Sequence, residues 1–247
     1  MRKAALALLV LLIVVACTPY RGGQPDGPPN GKLLFGEEFD SFNSSVWTKG
    51  WYGSAPVNNY ETACYADSQV SVTSGSLDLH GIAQTTTCGG KARPYLSGNI
   101  QSRDKMEFTP PIYIEARVWT DNVGDKIANW PAVWMDGHNW PTTGELDIME
   151  GLGGVAESTW HGPQGQNHIA TCGNTLGWHI YGVLWKKGSV TGYCDGIQSG
   201  SYSGSNVVDA PQYLIIGNQY SPENQWGGPV KADSHLLVDW IRVWTPE

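Results

Sequence analysis

Tyr113-Ile114-Glu115-Ala116-Arg117-Val118-Trp119 alternates apolar and polar side chains with a period of two, the spacing of a strand buried on one face. Ser76-Leu77-Asp78-Leu79-His80 upstream repeats the pattern, as do His179 to Lys186, Tyr213 to Asn218 and Leu236 to Trp244 downstream. Gly, Pro, Asn and Ser clusters separate these runs, and no segment sustains apolar residues at helical spacing. In a chain of 247 residues this predicts one all-β domain, a two-sheet antiparallel sandwich of the jelly-roll kind. Composition agrees. Charged residues make up only 15%, while 31 glycines, 12 tryptophans and 11 tyrosines give a turn-rich, aromatic chain suited to flat, uncharged ligands such as sugars.

The ends add a location. Met1-Arg2-Lys3 runs into an apolar stretch from Ala4 to Ala16, too short to span a bilayer, and reads as a signal peptide over residues 1–17. Its end, Val14-Val15-Ala16-Cys17, resembles the bacterial lipobox, in which the cysteine is lipidated; the alternative is cleavage to a freely secreted form. A lipid on Cys17 would be the only membrane contact. Residues 18–31 are rich in Pro and Gly and read as a tether, leaving 32–247 as the single folded domain. Five cysteines are an odd number, and setting Cys17 aside leaves Cys64, Cys88, Cys172 and Cys194. Three connectivities are open; Cys64 with Cys88 and Cys172 with Cys194 are favoured, because each pair is close in sequence on neighbouring strand-like segments. No cysteine or histidine spacing suggests zinc. A net charge of −8 excludes nucleic acid as an expected partner and disfavours acidic polysaccharides.

Chemistry concentrates in Glu145-Leu146-Asp147-Ile148-Met149-Glu150. On a regular strand Glu145 and Asp147 share a face and Glu150 falls on the other. One β-bulge at Ile148-Met149 returns Glu150 to the face of the other two acids, and bulges are frequent beside active sites. Three carboxylates on one surface repel and raise one another's pKa, a cost that catalysis explains. Retaining glycosidases need one carboxylate as nucleophile and a protonated second carboxyl as general acid, about 5 to 5.5 Å apart. Asp147, shorter and between the two, suits an assisting role. Trp130 and Trp134, four apart on one strand, share a face and can form a stacking wall for sugar rings; Trp140 lies in the loop before the acids.

Trp130-Pro131-Ala132-Val133-Trp134-Met135, Gly144 to Gly151 and Thr159-Trp160-His161-Gly162 together resemble glycoside hydrolase family 16, and the resemblance runs from Phe35-Gly36-Glu37-Glu38-Phe39-Asp40 to Val238 through Trp244. It implies a concanavalin A-like β-jelly roll with a concave cleft, a retaining double displacement without a catalytic cofactor, Glu145 as nucleophile, Asp147 as assisting acid and Glu150 as general acid/base. The six-residue, bulged form of the motif resembles laminarinases, agarases and carrageenases. The scarcity of basic residues then favours neutral β-1,3-glucan or mixed β-1,3-1,4-glucan over charged galactans. A monomer is expected. The resemblance also points to His161 beside the nucleophile, and to Asn59 and Glu61 in a loop edging the cleft. Asn99 stands where laminarinases often carry arginine. Asp239, embedded in Leu237-Val238-Asp239-Trp240-Ile241, needs a partner: a structural calcium with the carbonyls of Glu38 and Gly75, as the resemblance implies, or a salt bridge. Three classes stay open: a glucan hydrolase, a transglycosylase, and a binding module with no need of the two glutamates.

Overall fold

The computed structural model describes residues 31–51, 55–173, 175–222 and 225–246. The signal-like segment, Cys17 and the tether to residue 30 lie outside the described residues. Within the strand Ile112–Thr120, Ile114, Ala116 and Val118 enter the main core, so the alternation read in the sequence is the one the fold uses.

Two sheets enclose that core. The larger has ten strands and runs Ile197–Ser203, Ser189–Cys194, Trp178–Lys186, Ile112–Thr120, Ser234–Thr245, Ser76–Cys88, Lys91–Ser97, Ala63–Tyr65. Lys32–Glu37 and Val70–Thr73 add to it, pairing with Ser234–Thr245 and Ser76–Cys88. The smaller has eight and runs Gly165–Cys172, Val155–Gly162, Glu145–Leu152, Trp130–Asp136, Gln212–Gln219, Asn99–Gln101, Thr48–Lys49, with Glu107–Phe108 pairing with Gln212–Gln219. Pairing is antiparallel except between Ala63–Tyr65 and Lys91–Ser97. Among the described residues the only helix is a 3-10 turn, Asp67–Gln69, and no helix is long and apolar enough to cross a membrane. This is the jelly-roll sandwich that the period-two pattern predicts.

Leu77, Leu79, Val183, Val238 and Val243 from the larger sheet meet Val133, Met135, Leu146, Leu214 and Ile216 from the smaller. Each such fully buried side chain contributes about 1.5 to 3 kcal/mol. Trp160 and Trp185 cross the core from opposite sheets with ring centroids 5.7 Å apart. Their indole N–H groups, which could not stay unpaired in that interior, donate to the carbonyls of Asn206 and Val208 at 2.8 and 3.1 Å.

Both expected disulfides form, each with Cα atoms 5.9 Å apart. Neither joins directly paired strands. Cys64–Cys88 reaches across Lys91–Ser97, and Cys172–Cys194 ties the edge strand of the smaller sheet to the larger sheet. The two sheets approach closely there. A Cβ at Gly200 would strike the Ile169 carbonyl, and one at Gly192 would lie 2.7 Å from the Ala170 side chain.

Asp239 is the extra residue of a bulge, since Val238 and Trp240 pair with consecutive residues, Val118 and Arg117. Its carboxylate lies 2.7 Å from Arg117 Nη1. The Glu38 carboxylate takes Arg242 in a two-pronged pair at 2.7 and 2.8 Å. Asp239 is thus matched by a guanidinium, the partner that the salt-bridge alternative expects.

Candidate active site

Trp130–Asp136 supplies one wall of the site by simple alternation. Val133 and Met135 point into the core, and Trp130, Ala132, Trp134 and Asp136 point the other way, into a cleft of about 610 Å³ on the outer face of the smaller sheet. The neighbouring strand Glu145–Leu152 cannot hold that alternation throughout. Asp136 pairs with Glu145 and Trp134 with Asp147, but Val133 pairs with Met149 and Ala132 with Glu150, leaving Ile148 unmatched. On its other side Asp147 pairs with Thr159 and Glu150 with Glu157, so Ile148 and Met149 together oppose Ser158. This is the expected bulge. Both of its apolar side chains are fully buried in the core, and Glu145, Asp147 and Glu150 all line the cleft. Ser158 Oγ donates to the Ile148 carbonyl at 2.7 Å, which satisfies a backbone group the bulge takes out of the ladder.

The acids are poorly solvated and have few partners. His161, directly cross-strand from Glu145, places Nε2 at 3.1 Å from Asp147 Oδ2 and 3.6 Å from Glu145 Oε1. One ligand atom from each of Glu145, Asp147 and His161 lies within 4.8 Å of the others. Trp130 Nε1 donates to Glu150 Oε1 at 2.7 Å, and Glu150 Oε2 has no protein partner. Burial pushes Glu150 up to about 8; Asp147 adds to this and the Trp130 hydrogen bond opposes it. Asp147 also rises to about 8, through burial and then the charge of Asp136. Glu145 is raised by burial first and by Asp147 next, while His161 pulls it down. Of the three it is the most open to solvent. With both pushed to about 8, Asp147 and Glu150 favour their protonated forms at neutral pH.

The aromatic wall is larger than Trp130, Trp134 and Trp140. Trp134 stacks on Trp51 at 5.8 Å and Trp130 on Trp226 at 6.3 Å, with Tyr60 5.9 Å beyond Trp226. Trp140 lines the cleft and is 57% exposed. Trp134 Nε1 is buried without a hydrogen-bond partner beside the acids. Asp136 is a fourth acid, raised by burial to about 7. The alternation through Trp130 and Trp134 would have placed it on this face. Trp51 and Trp226 sit outside any periodic run and had no comparable signal.

Asn59 and Glu61 are not at the cleft. Asn58 Oδ1 accepts from the backbone N–H groups of Tyr60 and Glu61 at 2.9 and 3.2 Å, a tight turn that sends Asn58 and Tyr60 to the cleft wall and leaves Asn59 in solvent. Glu61 turns inward, accepts from Val57 N at 2.9 Å and Tyr65 Oη at 2.6 Å, and is raised by burial to about 8. It braces the loop from behind. Asn99 is buried and does not line the cleft.

Known proteins are similar to this chain to different extents. A family model described as the XgeA-like, catalytic GH16 domain matches residues 120–181, the segment holding the Trp130 strand, the three acids and His161. A beta-glucanase of Rhodothermus marinus is 24% identical over 99% of this chain and 94% of its own length. The endo-beta-1,3-glucanase of Pyrococcus furiosus superposes with a TM-score of 0.75 at 26% identity, covering 87% of this chain and 94% of that one. The laminarinase catalytic domain of Thermotoga maritima MSB8 does so with a TM-score of 0.75 at 23% identity, over 88% and 99%, a likeness of fold.

Proposed function

We propose that this chain, a laminarinase-like protein of glycoside hydrolase family 16, cuts internal β-linkages of a neutral glucan, β-1,3- or mixed β-1,3-1,4-linked, by retaining double displacement. The observation that carries the reading is the bulge that turns Ile148 and Met149 into the core together and so brings Glu150 to the cleft with Glu145 and Asp147.

Glu145 attacks the anomeric carbon as the glycosidic C–O bond breaks, and Glu150 gives its proton to the departing oxygen. The Glu150 carboxylate then takes a proton from water, whose oxygen attacks the same carbon and releases Glu145 with configuration retained. A Glu150 that stays protonated to about pH 8 is an acid matched to that work at neutral pH. Asp147 is the assisting acid beside Glu145, and His161, 3.1 Å from its carboxyl, orients it. Trp134 with Trp51, and Trp130 with Trp226, give stacking platforms on either side of the acids, with Trp140 as an outer one. The acid-lined cleft favours uncharged chains over carrageenan-like ones.

Incubation with laminarin, lichenan, agarose and carrageenan in parallel, with product analysis, tests the substrate. Short oligosaccharides from laminarin or lichenan are expected, and cleavage of agarose alone would overturn the glucan assignment. Residues 1–17 are assigned in the same reading to export, Cys17 to lipid attachment and 18–31 to a tether for a monomeric domain acting outside the cell. Palmitate labelling lost in Cys17→Ser is the expected mark of the anchor.

A further inference from the structure

His80 and His235, neither of which lines the cleft, stand as direct cross-strand partners on Ser76–Cys88 and Ser234–Thr245, two interior strands of the larger sheet. Their neighbours Leu79 and Leu236 enter the core, so the imidazoles point outward. The rings lie face to face, centroids 4.3 Å apart and planes 3° from parallel. His80 Nε2 is 2.7 Å from Asp233 Oδ1, and His235 Nδ1 is 2.8 Å from Asp78 Oδ1. One ring nitrogen of each histidine and a carboxylate oxygen of Asp233 all fall within 4.8 Å of one another.

We propose that His80, His235 and Asp233 form a surface site for a divalent transition-metal ion of the zinc class. The donor set decides the class: two imidazoles and one carboxylate suit Zn²⁺, Ni²⁺ or Cu²⁺, whereas Ca²⁺ and Mg²⁺ call for shells of oxygen. Asp78 completes the design without touching the ion. By accepting from Nδ1 it fixes the His235 tautomer that leaves Nε2 free to ligate, the usual task of an outer carboxylate behind a metal-bound histidine. The nearby Asp121 is already engaged by Lys231 and by the His235 backbone N–H, so Asp233 and Asp78 supply the negative charge that draws a cation. Parallel rings cannot both aim at one ion. Each side chain is more than a third exposed, so the rings are free to tilt toward each other, and the ion replaces the proton between His80 and Asp233. Asp233 also ends the segment that follows Tyr220 and carries Trp226 to the cleft, so a bound ion would pin that segment to the sheet.

Calorimetric titration of the untagged, metal-free protein with Zn²⁺ tests this, with Ni²⁺ as second probe and Mg²⁺ as control. One equivalent of Zn²⁺ is expected at micromolar affinity, with no heat from Mg²⁺ and with a Tm higher by several degrees in excess Zn²⁺. His80→Ala and Asp233→Asn should abolish the strong site while glucan hydrolysis stays at the parent rate, which shows that the variants fold. Asp78→Asn, which removes no ligand, should weaken binding by about 10- to 100-fold. Absence of Zn²⁺ binding overturns the proposal. So does binding that survives His80→Ala, since the ion would then sit at Asp104, Glu107 and His138 or among the cleft acids.

Discussion

The two outer faces of the sandwich handle buried carboxylates in opposite ways. On the larger sheet Asp239 is matched by Arg117, and the partly buried Glu38 and Asp121 are matched by Arg242 and Lys231. On the smaller sheet Glu145, Asp147, Glu150 and Asp136 crowd one cleft with a single imidazole bonded among them and, among the described residues, no arginine or lysine lining it. A buried charge without a partner is driven to take up a proton, and the cleft acids are shifted upward accordingly. Pairing serves stability; its absence leaves protons to give away. Carboxyls are thus charge-paired on one sheet and shifted toward their protonated forms on the other, and the difference lies in the neighbours.

The contrast can be broken at either face. Glu145→Gln carries the largest expected effect, a loss of kcat on the order of 10⁴-fold or more with oligosaccharide binding still measurable, and retained hydrolysis would remove it as nucleophile. Glu150→Ala should cost roughly 10² to 10⁴-fold. Azide should restore part of that rate on substrates with good leaving groups, and a complete lack of rescue counts against the acid/base role. On the paired face Asp239→Asn leaves Arg117 without its anion and should destabilise by about 2 to 4 kcal/mol, read as a lower urea midpoint with kcat unchanged.

Glu150→Gln should do the reverse. A carboxyl whose folded pKa exceeds its unfolded value binds more protons when folded, so the stability it confers is full below about pH 4.5 and is lost as pH rises toward 8. An amide does not titrate and escapes that loss, so the Tm of Glu150→Gln should exceed the parent's at pH 8 and approach it at pH 5. The smallest effect is expected of Asp136→Asn. It removes a negative neighbour that raises Glu145 and Asp147 and is not among the groups that raise Glu150. The acid limb of the kcat/KM profile should move to lower pH by about half a unit to one unit, with the alkaline limb in place. Equal movement of both limbs would show that the four carboxyls titrate as one unit.

Much of this face could be read before the fold was known, because the bulge leaves a signature in the chain. Glu150 is out of phase with Glu145 and Asp147, and one inserted residue is the cheapest repair. Asp136 was equally legible by phase from Trp134. Trp226 was not: it reaches the cleft from an aperiodic segment, and only the folded chain brings it over Trp130. Asn59 and Glu61 were misplaced for a related reason. The Asn58 turn rotates its successors one position away from the order expected, so Tyr60 meets the cleft and Glu61 meets Tyr65. Asp239 was legible as an acid in need of a partner, but its partner's identity depends on a second bulge and a cross-strand arginine.

The Cys172–Cys194 bridge has a bearing on life in a crowded medium. Gly165–Cys172 ends the smaller sheet, and a terminal strand with open N–H and C=O groups invites a neighbouring chain to add itself. Here that margin is folded against Ser189–Cys194 and Ile197–Ser203, held by the bridge and let in by the bare backbones of Gly192 and Gly200. A covalent stitch at the rim thus covers the sheet margin along which another chain could pair.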